Sequence, residues 1–100
     1  MFGNPDHRIA GLERHLRTPE ILVPIDGPFI LPLLLGEAGE GDIKAFRVGL
    51  GEAVVIDRAV WHGACLPVGK KESSYFVMFR KNTPHDDVEK RTTKPVSITF

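Results

Sequence analysis

An all-β sandwich or barrel is the fold class this sequence predicts. Short apolar runs recur along most of the chain, with Gly, Pro and Asp turn signals between them at close, regular spacing. No segment sustains the three-to-four-residue apolar period of a packed helix. The length, 100 residues with 42% apolar, allows one domain with one modest core, since a chain this short buries only about 60–65% of its unfolded surface.

The polar residues 1–8 (MFGNPDHR) read as an arm, ahead of a domain over 9–100. A first strand is expected at 9–15, closed by Thr18-Pro19, and a second at 20–25, closed by Asp26-Gly27-Pro28. The apolar run 29–35 reads as a third strand, and the acidic, Gly-rich GEAGEGD (36–42) as the exposed loop after it. Strand 43–48 ends at Gly49-Leu50-Gly51, and 53–56 follows. Strand 62–67 runs into the turn Val68-Gly69-Lys70-Lys71, with a further strand at 74–80. Residues 84–91 are the best helical segment, one or two turns with Thr83 as N-cap and Pro84 at the first helical position. Residues 96–100 read as another strand or a partner-docking arm.

Lys plus Arg and Asp plus Glu balance at 13 each, which argues against a basic nucleic-acid platform. The same balance removes the repulsion that keeps chains apart, and a homodimer sharing edge strands is expected. Cys65 is the single cysteine, so no intrachain disulfide forms and a reducing compartment is expected. Residues 1–11 hold no signal-peptide run, and the stretch 28–35, broken by Pro32, is far too short to span a bilayer. A cytoplasmic protein without membrane partners is the expectation.

Two spacings suggest chemistry: Glu13-x-His15-x4-Glu20-x6-Gly27, and Gly51-x5-Asp57-x-Ala59-x2-His62. Residues i and i+2 of a strand share a face, so Glu13 and His15 project the same way. The turn at Thr18-Pro19 is expected to return Glu20 beside them on an adjacent strand. One imidazole from each motif with one or two carboxylates makes a ligand set suited to a divalent transition metal (Zn, Mn, Fe or Ni), with positions left for substrate.

These spacings resemble the cupin pattern G(x)5HxH(x)3–4E(x)6G followed by G(x)5PxG(x)2H(x)3N. Glu13 stands in place of the first histidine, Asp57 of the proline, Ala59 of the glycine and Leu66 of the final asparagine. Within the cupins the wording is similar to the ureidoglycolate lyase family. The matching pieces are Leu12-Glu13-Arg14-His15, Val23-Pro24, Lys44-Ala45-Phe46, Gly51, Arg58 and Val60-Trp61-His62, within residues 11–80. The resemblance implies a small cupin jelly-roll β-barrel and cleavage of ureidoglycolate to glyoxylate and urea. It also implies a metal held by His15, Glu20 and His62, with Glu13 as a fourth ligand or as the base for the substrate hydroxyl. Arg58 shares parity with His62 and would pair with the substrate carboxylate if its segment stays extended. The alternatives are a non-catalytic cupin binding or sensor module and another metal-dependent cupin reaction, an isomerisation or oxygenase step.

Parity turns Arg14 outward and Trp61 away from the pocket, into a core or dimer interface. Phe46 is expected in the core and Cys65 as a small buried hydrophobe. Lys44, His7, His85 and Lys70-Lys71 are expected at the surface. No Ser/His/Asp or Cys/His set and no phosphate-binding glycine loop is present.

Overall fold

The computed structural model describes residues 7–35, 39–69 and 72–98. Among the described residues, nine strands form two antiparallel sheets. The larger contains β1 (His7–Arg14), β3 (Phe29–Leu34), β4 (Lys44–Val48), β6 (Trp61–His62), β7 (Leu66–Pro67) and β9 (Glu89–Ile98). Its order is β4-β3-β6-β1-β9, with β7 also paired to β3. The smaller sheet, ordered β5-β2-β8, is built from β2 (Glu20–Pro24), β5 (Val54–Ile56) and β8 (Tyr75–Met78). The fold is the expected all-β, cupin-like one, with its strands paired as two sheets that share one interior.

The chain changes sheet at nearly every turn, and the turn residues hold the crossings. At the first, the Thr18 hydroxyl accepts the Arg80 N–H (3.1 Å) at the end of β8. At the second, the Asp26 carboxylate accepts the Ser74 N–H at 2.9 Å. After β4, Gly51 has φ of 84° and Glu52 N–H donates to the Gly49 carbonyl (3.1 Å), so glycine occupies the left-handed third position of a tight turn.

Two apolar clusters follow from the alternation of side chains. Leu22 and Ile56 of the small sheet meet Phe29, Leu31 and Val48 of the large one. Behind the large sheet, Ile9, Leu12, Ile30, Leu34, Trp61, Leu66 and Ile98 form a second cluster. The run in β3 is thus buried on both faces, Phe29 and Leu31 into one cluster and Ile30 and Leu34 into the other.

Several local expectations are corrected. The segment read as one strand, 62–67, is split into β6 and β7, because residues 63–65 oppose only Leu31 and Pro32 and proline offers no N–H to a ladder. The helix (α1, Thr83–Asp86) is a single turn capped at Asn82 rather than Thr83, and Asn82 takes φ of 68° without a side-chain cap. From Glu89 the chain is extended instead, as β9, paired with β1 from Arg14↔Glu89 to His7↔Ile98. β9 is an edge strand, and Pro95 lies in its irregularity opposite the Ile9–Gly11 shift, where proline is tolerated. Phe46 is 48% exposed on the edge strand β4 and is not core. β1 begins at His7, inside the segment read as an arm; residues 1–6, 36–38 of the acidic loop, Lys70-Lys71 and the last two positions of 96–100 lie outside the described residues. Among the described residues no helix is long and apolar enough to cross a membrane.

Candidate metal centre

Glu13 is the direct cross-strand neighbour of His62 on one side and of Lys90 on the other. Opposed residues of an antiparallel pair share a face, so His62, Glu13 and Lys90 form a row across the large sheet, turned toward the small one. His15 follows the end of β1 and sits within this group, its ring centroid 5.3 Å from that of His62. Glu20 opens β2 and reaches in from the opposite sheet. The expected return of Glu20 on an adjacent strand is therefore corrected: residues 16–19, mostly exposed, carry the chain from the large sheet to the small one, and the glutamate faces the histidines instead of flanking them.

His15, Glu20 and His62 are 5–6% exposed. Glu20 Oε1 lies 3.2 Å from His15 Nε2, and its Oε2 lies 3.7 Å from His62 Nε2. One ligand atom each from Glu13, His15 and His62 lie within 4.8 Å of one another. His15 Nδ1 is 2.8 Å from the Asp87 main-chain oxygen, which can only accept, so Nδ1 carries the proton and donates. In the neutral ring the Nε2 lone pair then faces a carboxylate oxygen. His62 Nε2 is buried without a hydrogen-bond partner among the described residues. Burial pushes the His62 pKa below its usual value, against the raising effect of Glu20 and Glu13, so at neutral pH it offers a lone pair.

Lone pairs and carboxylates aimed at one point fit a divalent cation. Two donors each about 2.1 Å from a tetrahedral ion are about 3.4 Å apart, a spacing the Glu20–imidazole pairs already bracket. The N and O donor set suits the transition metals expected from the sequence.

These groups lie in a cavity of about 770 Å³ between the sheets, whose rim includes the exposed Lys90, Val77 and Phe79. Leu22 and Val77 supply apolar wall, and Tyr75 and Cys65 form a hydrogen-bonded pair. Burial pushes the Cys65 thiol up to about 11 and the Tyr75 phenol up to about 12. Without a metal beside it, Cys65 is thus a thiol at neutral pH and a poor nucleophile, and Tyr75 keeps its proton as a donor.

Arg58 is not part of this site. The chain turns at residues 58–59, Ala59 takes φ of 68°, and Arg58 lies exposed outside the cavity lining. Its pairing role required an extended segment, which the turn removes. The turn aims His62 all the same, since Ala59 N–H donates to the His15 carbonyl at 2.8 Å and ties the two motifs together. Lys44 is exposed and lines no part of the cavity. Arg14 points outward, 4.4 Å over the Trp61 ring and paired with Glu89 at 2.9 Å.

Three residues near the site were not singled out from the sequence. Lys90 lies on a strand with no apolar alternation to reveal it. Tyr75 lies in the run YFVMF, where every side chain is apolar or aromatic and parity does not say which face turns inward. Asp87 acts through its backbone as much as its side chain, and no local spacing signals that.

The ureidoglycolate lyase family model matches residues 4–99. Ureidoglycolate lyase 2 of Rhizobium meliloti (strain 1021) is 31% identical over 91 residues, covering 89% of this chain and 55% of that protein. The chain thus spans about half the length of the curated relative it matches.

Proposed function

The chain belongs to the ureidoglycolate lyase family, and from that premise we propose that it cleaves ureidoglycolate to glyoxylate and urea with a divalent metal in the inter-sheet cavity. The observation that carries the reading is the convergence of buried His15, His62 and Glu20 with half-buried Glu13, His62 Nε2 having no hydrogen-bond partner among the described residues. His15, His62 and Glu20 would hold the ion, with Glu13 in reach of it. A bound ion supplies Lewis-acid polarisation of the substrate oxygens.

The chain's own groups do the rest. Among the described residues, no hydrogen bond or ion pair engages the Glu13 carboxylate, which leaves it able to accept the substrate's hydroxyl proton. As that proton leaves, the O–H electrons form the carbonyl of glyoxylate and the C–N bond breaks. Glu13 then returns the proton to the departing nitrogen, giving urea. The balance needs no water and no redox partner. Lys90, beside Glu13 and with no ion-pair partner among the described residues, takes the substrate carboxylate in the role the sequence suggested for Arg58. The Tyr75 hydroxyl, on the cavity wall, would turn from Cys65 to donate to the ureido carbonyl, and Leu22 and Val77 would give the substrate an apolar wall.

We also place the protein in the cytoplasm, on the strength of its single unpaired cysteine. We propose that it is a homodimer. Supporting this, Val55, Phe76 and Met78 stand 62%, 63% and 50% exposed on the outer face of the small sheet. Urea release from ureidoglycolate by the purified chain tests the activity. Turnover abolished by chelation and restored by one divalent metal is expected, and no turnover at any metal loading would refute it.

A further inference from the structure

We infer that Asp87 is a positioning residue for His15, fixing both the tautomer and the aim of the imidazole. This inference rests on the metal-dependent reading of the site. Seventy-two residues separate the two in sequence, yet Asp87 holds the His15 region at three points. Its main-chain oxygen accepts the Nδ1 proton at 2.8 Å. Its two carboxylate oxygens accept the N–H groups of Leu16 and Arg17, each at 3.0 Å. The carbonyl thus sets the ring, and the carboxylate sets the backbone directly after it.

Asp87 is itself immobilised. It is 7% exposed, and its N–H donates to the carbonyl of the fully buried Thr83 at 3.0 Å. On the other side, the His15 carbonyl is held by the Ala59 N–H. Free imidazole prefers its proton on Nε2, and that tautomer would point a proton, not a lone pair, at Glu20. The Asp87 carbonyl selects the opposite form, so that Nε2, 3.2 Å from Glu20 Oε1, can turn a lone pair to a metal shared with that carboxylate. The carboxylate matters because the carbonyl is present whatever side chain residue 87 carries. Without the fork to Leu16 and Arg17, the N–H bond to Thr83 still anchors residue 87, but no bond among the described residues then ties it to the backbone that follows His15.

The experiment combines calorimetric titration of the chain with zinc(II) or manganese(II) and ¹⁵N–¹H correlation of the metal-free His15 ring. Loss of such an outer partner lowers metal affinity about 10–100-fold. That loss is expected for Asp87→Ala, with Asp87→Asn intermediate and Glu89→Ala, which touches only the outward Arg14 pair, unchanged. The metal-free ring should carry its proton on Nδ1 in the parent chain and shift toward Nε2 in Asp87→Ala. If Asp87→Ala fails to fold, Asp87→Asn answers by the same two readouts. Unchanged affinity together with an unchanged tautomer overturns the inference. Should the parent chain take up neither ion, the metal-dependent reading fails by itself, and the tautomer alone decides whether Asp87 positions His15.

Discussion

Ala59 occupies the position at which the cupin pattern has glycine, and its φ of 68° is the left-handed conformation that a glycine adopts freely. The turn forms despite the substitution because its N–H reaches the His15 carbonyl, and strain remains in the backbone. Ala59→Gly is therefore expected to raise stability by about 0.5–1 kcal/mol, the relief of strain outweighing the extra freedom of an unfolded glycine. A thermal melt should show a rise of a few degrees; a fall would place the strain elsewhere. The ligand candidates were legible at this scale because strand parity and motif spacing are local properties. The carboxylate partner was not, since Lys90 reaches the cavity only through the pairing of β1 with β9. Lys90→Ala should lower kcat/KM for a carboxylate substrate about 10–100-fold, mainly through KM, as befits a lost charge-assisted hydrogen bond. Arg58→Ala should change it little. The reverse ranking in steady-state kinetics would restore Arg58 to the site.

At the scale of elements, β3 and β9 mark the limits of sequence reading. β3 is apolar on both faces and is buried on both, so its existence and length were plain. β9 has no such pattern in Glu89–Lys94: Lys90 and Thr92 line the cavity, while the Arg91 guanidinium lies toward the Trp61 ring, 5.8 Å from its centroid. A strand between a pocket lined by charged groups and a guanidinium over an aromatic ring has little use for alternating apolar residues, and at a sheet edge its charges also discourage further pairing. Hence a short helix was expected where an edge strand runs. The contrast between β3 and β4 can be measured. Phe29, fully buried with its ring centroid 5.4 Å from that of Tyr75, should cost about 3–5 kcal/mol as Phe29→Ala. Phe46→Ala, on half-exposed β4, should cost about 1 kcal/mol or less in the same urea unfolding series. Equal costs would mean that Phe46 is core after all.

For the whole molecule, the interior that stabilises the fold is also the one that holds the site, and pH should reveal the conflict. His62 has its pKa lowered by burial, so below the unfolded value of about 6.5 the unfolded chain binds a proton more readily than the folded one. Stability from this group is full above that value and is lost as pH falls through the window beneath it. A bound metal competes with protons for the same nitrogen, so the gap between metal-loaded and metal-free melts should be widest above that window and close as pH falls through it; a gap that widens toward acid would contradict the assignment. The exposed Val55, Phe76 and Met78 should be covered in a dimer, and Phe76→Asp should shift the sedimentation coefficient to that of a monomer. The central claim is that two imidazoles and a carboxylate brought from both sheets share one ion. Metal content by elemental analysis of the parent chain, His15→Ala and His62→Ala tests it most directly. One divalent ion per chain, lost in both variants, is the predicted result. Full metal content in both variants would contradict it.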